Sequence, residues 1–155
     1  RQRQMCIRDS VIALCLALVG CGEGKYKEGT YEGSVTDNYG GEENTATAKV
    51  EVDKNGKISS VYLDTTYTKD GISTTKKALK DNYGMKSVSA NMGKIEGGKE
   101  WYEQAEALEK AVVEKQGIDF ITLDKDGKTD AVSGCTIKIE ALYKALEQAL
   151  NKAKK

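Results

Sequence analysis

Histidine and proline are absent from the 155 residues, and phenylalanine and tryptophan occur once each. Without histidine, the chain has no Ser-His or Cys-His nucleophilic pair and no histidine-ligated metal site of its own. Without proline, its turns depend on 16 glycines and on Asn or Asp. The 24 basic and 24 acidic residues give a formal net charge of zero, which argues against a surface that binds nucleic acid.

Long hydrophobic runs are also scarce, and the clearest one is Val11–Val19. As a helix this run would span about 14 Å, far less than a bilayer core of about 30 Å. Positive charge from three arginines precedes it, and it ends in Leu18-Val19-Gly20-Cys21. This pattern is typical of a bacterial lipoprotein signal peptide that is cleaved before Cys21. An ordinary secretory signal followed by a chance cysteine is the alternative.

The signal divides the chain into three parts. We interpret residues 1–20 as the lipoprotein signal peptide, 21–28 as the lipidated Cys21 with a polar tether, and 29–155 as one folded domain. Two acyl chains on Cys21 give stable attachment to a membrane, so we expect an extracytoplasmic, membrane-anchored lipoprotein. Residues 1–10 fit a signal peptide poorly, because they do not begin with Met and Asp9 abuts the apolar run; we interpret them as partly a sequencing or assembly artefact.

Alternating apolar residues and helical periodicity together predict an α+β fold, with a small antiparallel sheet of about four strands packed with about three helices. The dipeptide Asn55-Gly56 is a strong signal for a hairpin near the start of the sheet. The predicted strands are 29–35, 46–52, 58–67 and 118–124. The predicted helices are 73–80, capped by Ser73, Thr74 or Thr75, then 99–116, ended by Gly117, and 137–153.

The run Asp130-Ala131-Val132-Ser133-Gly134-Cys135-Thr136 precedes the last predicted helix. Ser133 is a good N-cap residue, and Gly134 allows close approach to the backbone. Thr136 would then lie in the first turn, where free N–H groups and the helix dipole attract phosphate. The alternative is a simple cap and tight turn that binds nothing.

This run resembles the attachment motif of the FMN-binding domain family, Asp-x-x-Ser-Gly-Ala-Thr. Asp130, Ser133, Gly134 and Thr136 match the motif, and Cys135 stands where the family usually has alanine. The start of the domain is also similar to the family, with a Tyr-x-x-Gly-Thr-Tyr-x-Gly run and a hairpin that ends in Gly-Lys-Ile. The likeness covers nearly all of residues 26–150.

The resemblance implies that FMN is esterified through its phosphate to the Thr136 hydroxyl by a dedicated flavin transferase, which reads Asp130 as part of its signal. The family includes the flavin subunits of the Rnf and Nqr membrane redox complexes. It also includes lipoproteins that pass electrons from the membrane quinone pool to extracellular acceptors, and the anchor at Cys21 favours this second group. We therefore expect an electron-transfer flavoprotein that receives electrons from a membrane redox donor, and an electron carrier rather than a complete enzyme.

A second run, Tyr83-Gly84-Met85, precedes the loosely structured stretch 87–98 and resembles a segment of the lipoprotein branch of this family. Long loops in compact domains are often functional. We predict that Tyr83, Gly84 and Met85 form a wall beside the flavin ring, since Tyr and Met offer polarizable contact. A Tyr-Met pair that only fills the core is the alternative, and for Trp101 a place in the core is favoured over ligand contact.

Three alternatives stay open. Cys135 is the one cysteine beyond the predicted lipidation site, so no internal disulfide is available. Cys135 is either a reactive thiol or, as we favour, a small residue packed under the turn. The domain could bind a flavin or another small ligand without a covalent bond. It could also be a surface lipoprotein with no redox role.

Overall fold

A computed structural model describes residues 24–39 and 41–155 of the chain. The predicted signal peptide and the lipidation site Cys21 lie outside the described residues. The expected α+β fold is confirmed: within the described residues, four antiparallel strands in the order β1-β2-β3-β4 form one sheet, which packs with four α-helices. The elements are β1 Gly29–Tyr39, β2 Glu42–Val52, β3 Ile58–Lys69, β4 Ile72–Thr75, α1 Lys76–Leu79, a 3-10 helix Lys80–Tyr83, α2 Lys86–Asn91, α3 Trp101–Lys115 and α4 Glu140–Ala153.

The sheet is built on two long hairpins. The predicted turn at Asn55-Gly56 joins β2 to β3, and the Asp53 carboxylate fixes it by accepting hydrogen bonds from the backbone N–H groups of Asn55 and Lys57 at 2.8 and 3.0 Å. Alternate residues of β2 are buried, in the order predicted from the sequence. They present one apolar face of the sheet to the helices and leave the opposite face to solvent.

The two long helices cover that face: α3 packs along β3, and α4 packs along β1 and β2. Leu63, Leu108 and Leu146 are completely buried between these layers. At Gly33 the backbone of β1 touches α4, because a Cβ atom at this position would lie 2.0 Å from the carbonyl oxygen of Ala145.

The prediction of a strand at 118–124 is wrong, and the fourth strand is Ile72–Thr75 instead. Ile118 and Ile121 are both buried, and the N–H of Ile121 donates to the carbonyl of Ile118 at 3.0 Å in a turn. Their spacing of three residues suits a turn that points both side chains inward, whereas a strand would need a spacing of two.

The segment between β3 and α3 is more ordered than its composition predicts. Ser73 and Thr74 lie in β4, and of the three predicted caps it is Thr75 whose hydroxyl accepts the N–H of Ala78 at the start of α1. Helix α2 occupies the first part of the stretch 87–98, which was predicted to be loose.

The chain before β1 is part of the folded domain. The N–H of Gly24 donates to Asn55 O at 2.7 Å, and the N–H of Lys27 donates to Ala153 O at 2.8 Å. Tyr26 is buried and forms an isolated antiparallel bridge with Lys154. Residues 24–28, assigned to the tether from the sequence, therefore dock between the β2–β3 turn and the end of α4.

Candidate functional site

A cleft of about 160 Å³ opens where β1, β2, α1, α3 and α4 meet at one end of the sheet. Its walls combine aromatic and sulfur-containing side chains with three lysines and one aspartate. The residues that line it are Asp37, Asn44, Ala46, Thr65, Lys76, Tyr83, Met85, Met92, Trp101, Lys128, Thr136, Ile137, Lys138, Ala141 and Leu142.

Thr136 lies in the wall of this cleft and is held by one buried side chain. Oε1 of Gln104 accepts both the backbone N–H of Thr136, at 2.8 Å, and its hydroxyl, at 3.1 Å. Gln104 is fully buried, and its Nε2 donates to Ser89 Oγ at 3.4 Å and to Lys99 O at 3.2 Å. Because the Thr136 hydroxyl uses its hydrogen on Gln104, its oxygen keeps its lone pairs for another partner.

Two sequence predictions about this turn are wrong. The last helix begins at Glu140 with Ile139 as its N-cap, so Thr136 precedes the first turn and Ser133 caps nothing. The reason is packing: Ile137 and Ile139, two residues apart, are both buried, which requires extended backbone between them. The free N–H groups of the first helical turn therefore lie beyond Thr136 and do not surround its hydroxyl.

The other motif residues lie beside the cleft rather than on its wall. Asp130 is exposed and pairs with Lys94 at 3.7 Å. Ser133 is exposed, and Gly134 has φ of 80°, with the Lys99 ammonium 2.8 Å from the place a Cβ would occupy. A side chain at 134 would be strained by the backbone and would displace Lys99, so the position favours glycine.

Cys135 is the small packed residue that the sequence favoured. It is 2% exposed, and burial raises the pKa of its thiol from 9.0 to about 11. The thiol is therefore neutral at physiological pH and a poor nucleophile.

The predicted wall residues are only partly brought together. Tyr83 and Met85 line the cleft with Thr136, whereas Gly84 does not. Gly84 instead ends the 3-10 helix in a left-handed conformation, with φ of 79°. The buried Glu100 carboxylate accepts the N–H groups of Met85 and Lys86 at 2.8 and 3.0 Å, which fixes the backbone on this side of the cleft.

Sequence reasoning missed Lys76 and Gln104. Trp101, for which a place in the core was favoured over ligand contact, is 4% exposed in the core and also lines the cleft. The Lys76 ammonium lies 5.5 Å from the centre of the Tyr83 ring and 5.6 Å from that of Trp101. Burial lowers the pKa of Lys76, while the charges of Asp37 and Asp64 oppose that shift. The available signal was that α3 starts with Trp101 and carries a polar Gln104 within its apolar stripe.

The arrangement suits a flat ligand that carries negative charge. Aromatic rings and Met85 offer polarizable surfaces, and Lys76 and Lys128 supply positive charge. Lys138 also lines the cleft but pairs with Asp37 at 3.9 Å and with Glu140 at 3.4 Å. Among residues 24–39 and 41–155 no cluster of acidic residues and cysteines suits a metal ion, and no helix is long and apolar enough to cross a bilayer. Comparison of the chain with protein-family models, curated proteins and solved structures gives no match.

Proposed function

We propose that the protein is an extracytoplasmic electron-transfer flavoprotein, anchored to the membrane at Cys21, with FMN esterified to Thr136. The observation that carries this proposal is the position of the Thr136 hydroxyl in the wall of a cleft lined by Tyr83, Met85 and Trp101. The attachment motif is thus next to a surface that suits a planar ring. The resemblance of residues 130–136 to the flavin attachment motif is independent support from the sequence.

The residues present fit FMN in chemistry. FMN, when bound, supplies the redox chemistry by accepting and releasing electrons. The aromatic rings and Met85 would contact the flavin ring, and the ammonium of Lys76 would favour negative charge that collects there on reduction. The cleft is smaller than the roughly 300–1,000 Å³ of typical ligand pockets, so part of the cofactor would stay exposed and available for electron exchange.

Attachment requires a transferase and an activated FMN donor whose phosphorus carries a leaving group, such as the nucleotide half of a flavin dinucleotide. The bond from Thr136 Oγ1 to phosphorus forms as the bond from phosphorus to the leaving group breaks. The hydroxyl proton is lost to a base of the transferase. Gln104 would hold Oγ1 in place through the bond at 3.1 Å.

The test is co-expression with a flavin transferase followed by intact mass and peptide mapping. We expect wild type to gain the mass of FMN less one water on Thr136, and Thr136→Val to gain nothing while staying folded. Thr65→Val is the matched control, since Thr65 lines the same cleft outside the motif, and it should keep the adduct. Recovery of unmodified Thr136 from wild type would contradict covalent attachment.

A second candidate is non-covalent binding of a flavin or another aromatic anion. The observation that favours it is that the Thr136 hydroxyl already has a partner in Gln104, while the lysines and rings of the cleft need no covalent bond to attract such a ligand. Yellow colour that separates from the protein on denaturation would support this candidate. A protein without colour and without an adduct would support the surface lipoprotein with no redox role.

A further inference from the structure

The long elements of the domain all run between two ends of the molecule. We call the end that contains the cleft the cleft end. Helix α3 begins there at Trp101, and α4 begins there at Glu140. With 15 and 14 residues, each of these helices is about 20 Å long.

The opposite end, which we call the tether end, is where the chain from the predicted anchor joins the fold. Gly24 and Tyr26 bond to the β2–β3 turn at Asn55 and Gly56, and Lys27 bonds to the last residue of α4, Ala153. The end of α3 meets the same place, because a Cβ on Gly117 would lie 3.3 Å from the Tyr26 hydroxyl. Three separate parts of the fold, the β2–β3 turn and the ends of α3 and α4, therefore locate the tether end at the far side of the domain from the cleft.

The connection between anchor and domain is short. Only Gly22 and Glu23 separate Cys21 from Gly24, and three fully extended residues reach at most about 10 Å. Turning the cleft towards the bilayer would require the chain to pass along the whole domain, a path of about 20 Å. The connection is too short for that path.

We propose that the cleft faces away from the membrane and exchanges electrons with a redox partner in the aqueous phase, not with a carrier dissolved in the lipid. The proposal rests on the proposed function and on the anchor at Cys21. It refines the expected role, because a quinol within the bilayer would then reduce the cofactor only through another protein that extends into water.

The orientation can be measured without any flavin, because Trp101 lies in the cleft and is the only tryptophan of the chain. The lipidated protein, made without a flavin transferase, is reconstituted in vesicles whose headgroups carry a dansyl acceptor. Energy transfer from Trp101 to dansyl then reports the distance of the cleft from the membrane.

The matched control moves the donor to the tether end. Lys25 is exposed there, where it pairs with Asp119, so Lys25→Trp combined with Trp101→Phe places the fluorophore beside the anchor. We expect transfer from Trp101 to be severalfold lower than from Lys25→Trp. Equal or greater transfer from Trp101 would overturn the proposal. If Trp101→Phe fails to fold, Lys25→Trp alone serves, and its transfer should exceed that of wild type.

A second measurement uses the protein loaded with flavin. Insertion of about 20 Gly/Ser residues before Gly24 adds roughly 25 Å of flexible reach. This length lets the domain rotate until the cleft faces the membrane. We expect the insertion to raise the rate of reduction by a quinol in the same vesicles and to leave reduction by a water-soluble reductant unchanged. Equally fast reduction by quinol with the native tether would overturn the proposal. Failure to load flavin would contradict the proposed function but would not affect the energy-transfer result.

Discussion

At the scale of single residues, the candidate site depends on a glutamine that the attachment motif does not contain. Gln104 lies 32 positions before Thr136 and accepts both its N–H and its hydroxyl. Two bonds to one oxygen fix both the backbone and the rotamer of Thr136. Gln104 therefore holds the Thr136 hydroxyl in place and is a positioning residue for any reaction of that group.

Under the proposed attachment of FMN to Thr136, replacement of Gln104 by methionine should slow that reaction. The change removes the shared acceptor, and we expect a roughly tenfold lower rate in the transferase reaction, equivalent to ~1.4 kcal/mol. Timed intact-mass measurements with purified transferase give this rate.

Two further variants test whether the slower rate of Gln104→Met arises from the lost contact with Thr136. Ser89→Ala removes a partner of Gln104 but none of Thr136, so its rate should stay near that of wild type. Gln104→Glu keeps an acceptor oxygen and should recover part of the rate. Equal slowing in Ser89→Ala would show that Gln104 acts only through general stability of the fold.

Cys135 should make the free energy of unfolding depend on pH in the alkaline range. Burial raises the pKa of this thiol from 9.0 to about 11 in the folded protein, so the unfolded chain loses the proton first. The stabilising contribution is complete below about pH 9 and is lost as pH rises towards about 11, by ~2–3 kcal/mol. Urea unfolding between these pH values measures the change.

Cys135→Ala is the control for this prediction, because alanine occupies the equivalent motif position in the family that the sequence resembles. Tyrosines and lysines titrate alike in both proteins, so the difference between the two curves isolates the thiol. The difference should change by ~2–3 kcal/mol across the range. Parallel curves would mean that the thiol is not desolvated in the folded protein.

At the scale of elements, the first turn of α3 organises the site. Glu100 caps this helix in a reciprocal capping box with Glu103 and also holds the N–H groups of Met85 and Lys86. The next residues of the turn supply Trp101 to the cleft and Gln104 to Thr136. One turn of helix α3 therefore contacts both sides of the cleft, the Met85 side and the Thr136 side.

Glu100→Gln should destabilise the domain by about 1–3 kcal/mol, because one of the two N–H groups bound by this buried side chain would then face an NH₂ group that cannot accept its hydrogen bond. The free energy of unfolding from urea titration measures this loss. Glu106→Gln, at an exposed position of the same helix, should change stability by less than about 0.5 kcal/mol. Similar losses in the two variants would contradict the assigned role of Glu100.

Hydrophobic patterns in the sequence predict most of the strands and helices, but they place the start of the last helix directly after Thr136, too early in the chain. Alternation predicts β1 to β3, and periodicity predicts α3 and most of α4, because each signal reflects one buried face. The helical spacing of α4 includes Ile139, which is buried but precedes the helix, so the spacing alone does not mark where the helix begins. A helix and an extended segment that pack on the same core are not distinguished by hydrophobic spacing alone.

At the scale of the whole molecule, the cleft is formed by segments that are far apart in sequence. Asp37, Lys76, Trp101 and Thr136 come from β1, α1, α3 and the loop before α4. The motif and the Tyr83–Met85 run could be found from the sequence, since each is contiguous. The roles of Lys76 and Gln104 could not, because they depend on how the helices pack on the sheet; the sequence shows only that Gln104 is a polar residue within the apolar stripe of α3.

The contact of β1 with α4 at Gly33 has a consequence for the cleft. A Cβ atom there would lie 2.0 Å from the carbonyl oxygen of Ala145, so any larger residue would act as a wedge and lift α4 off the sheet. The beginning of α4 supplies Ala141 and Leu142 to the cleft. A side chain at position 33 would therefore shift Ala141 and Leu142 and change the width of the cleft, so a glycine outside the cleft controls how closely its two sides approach.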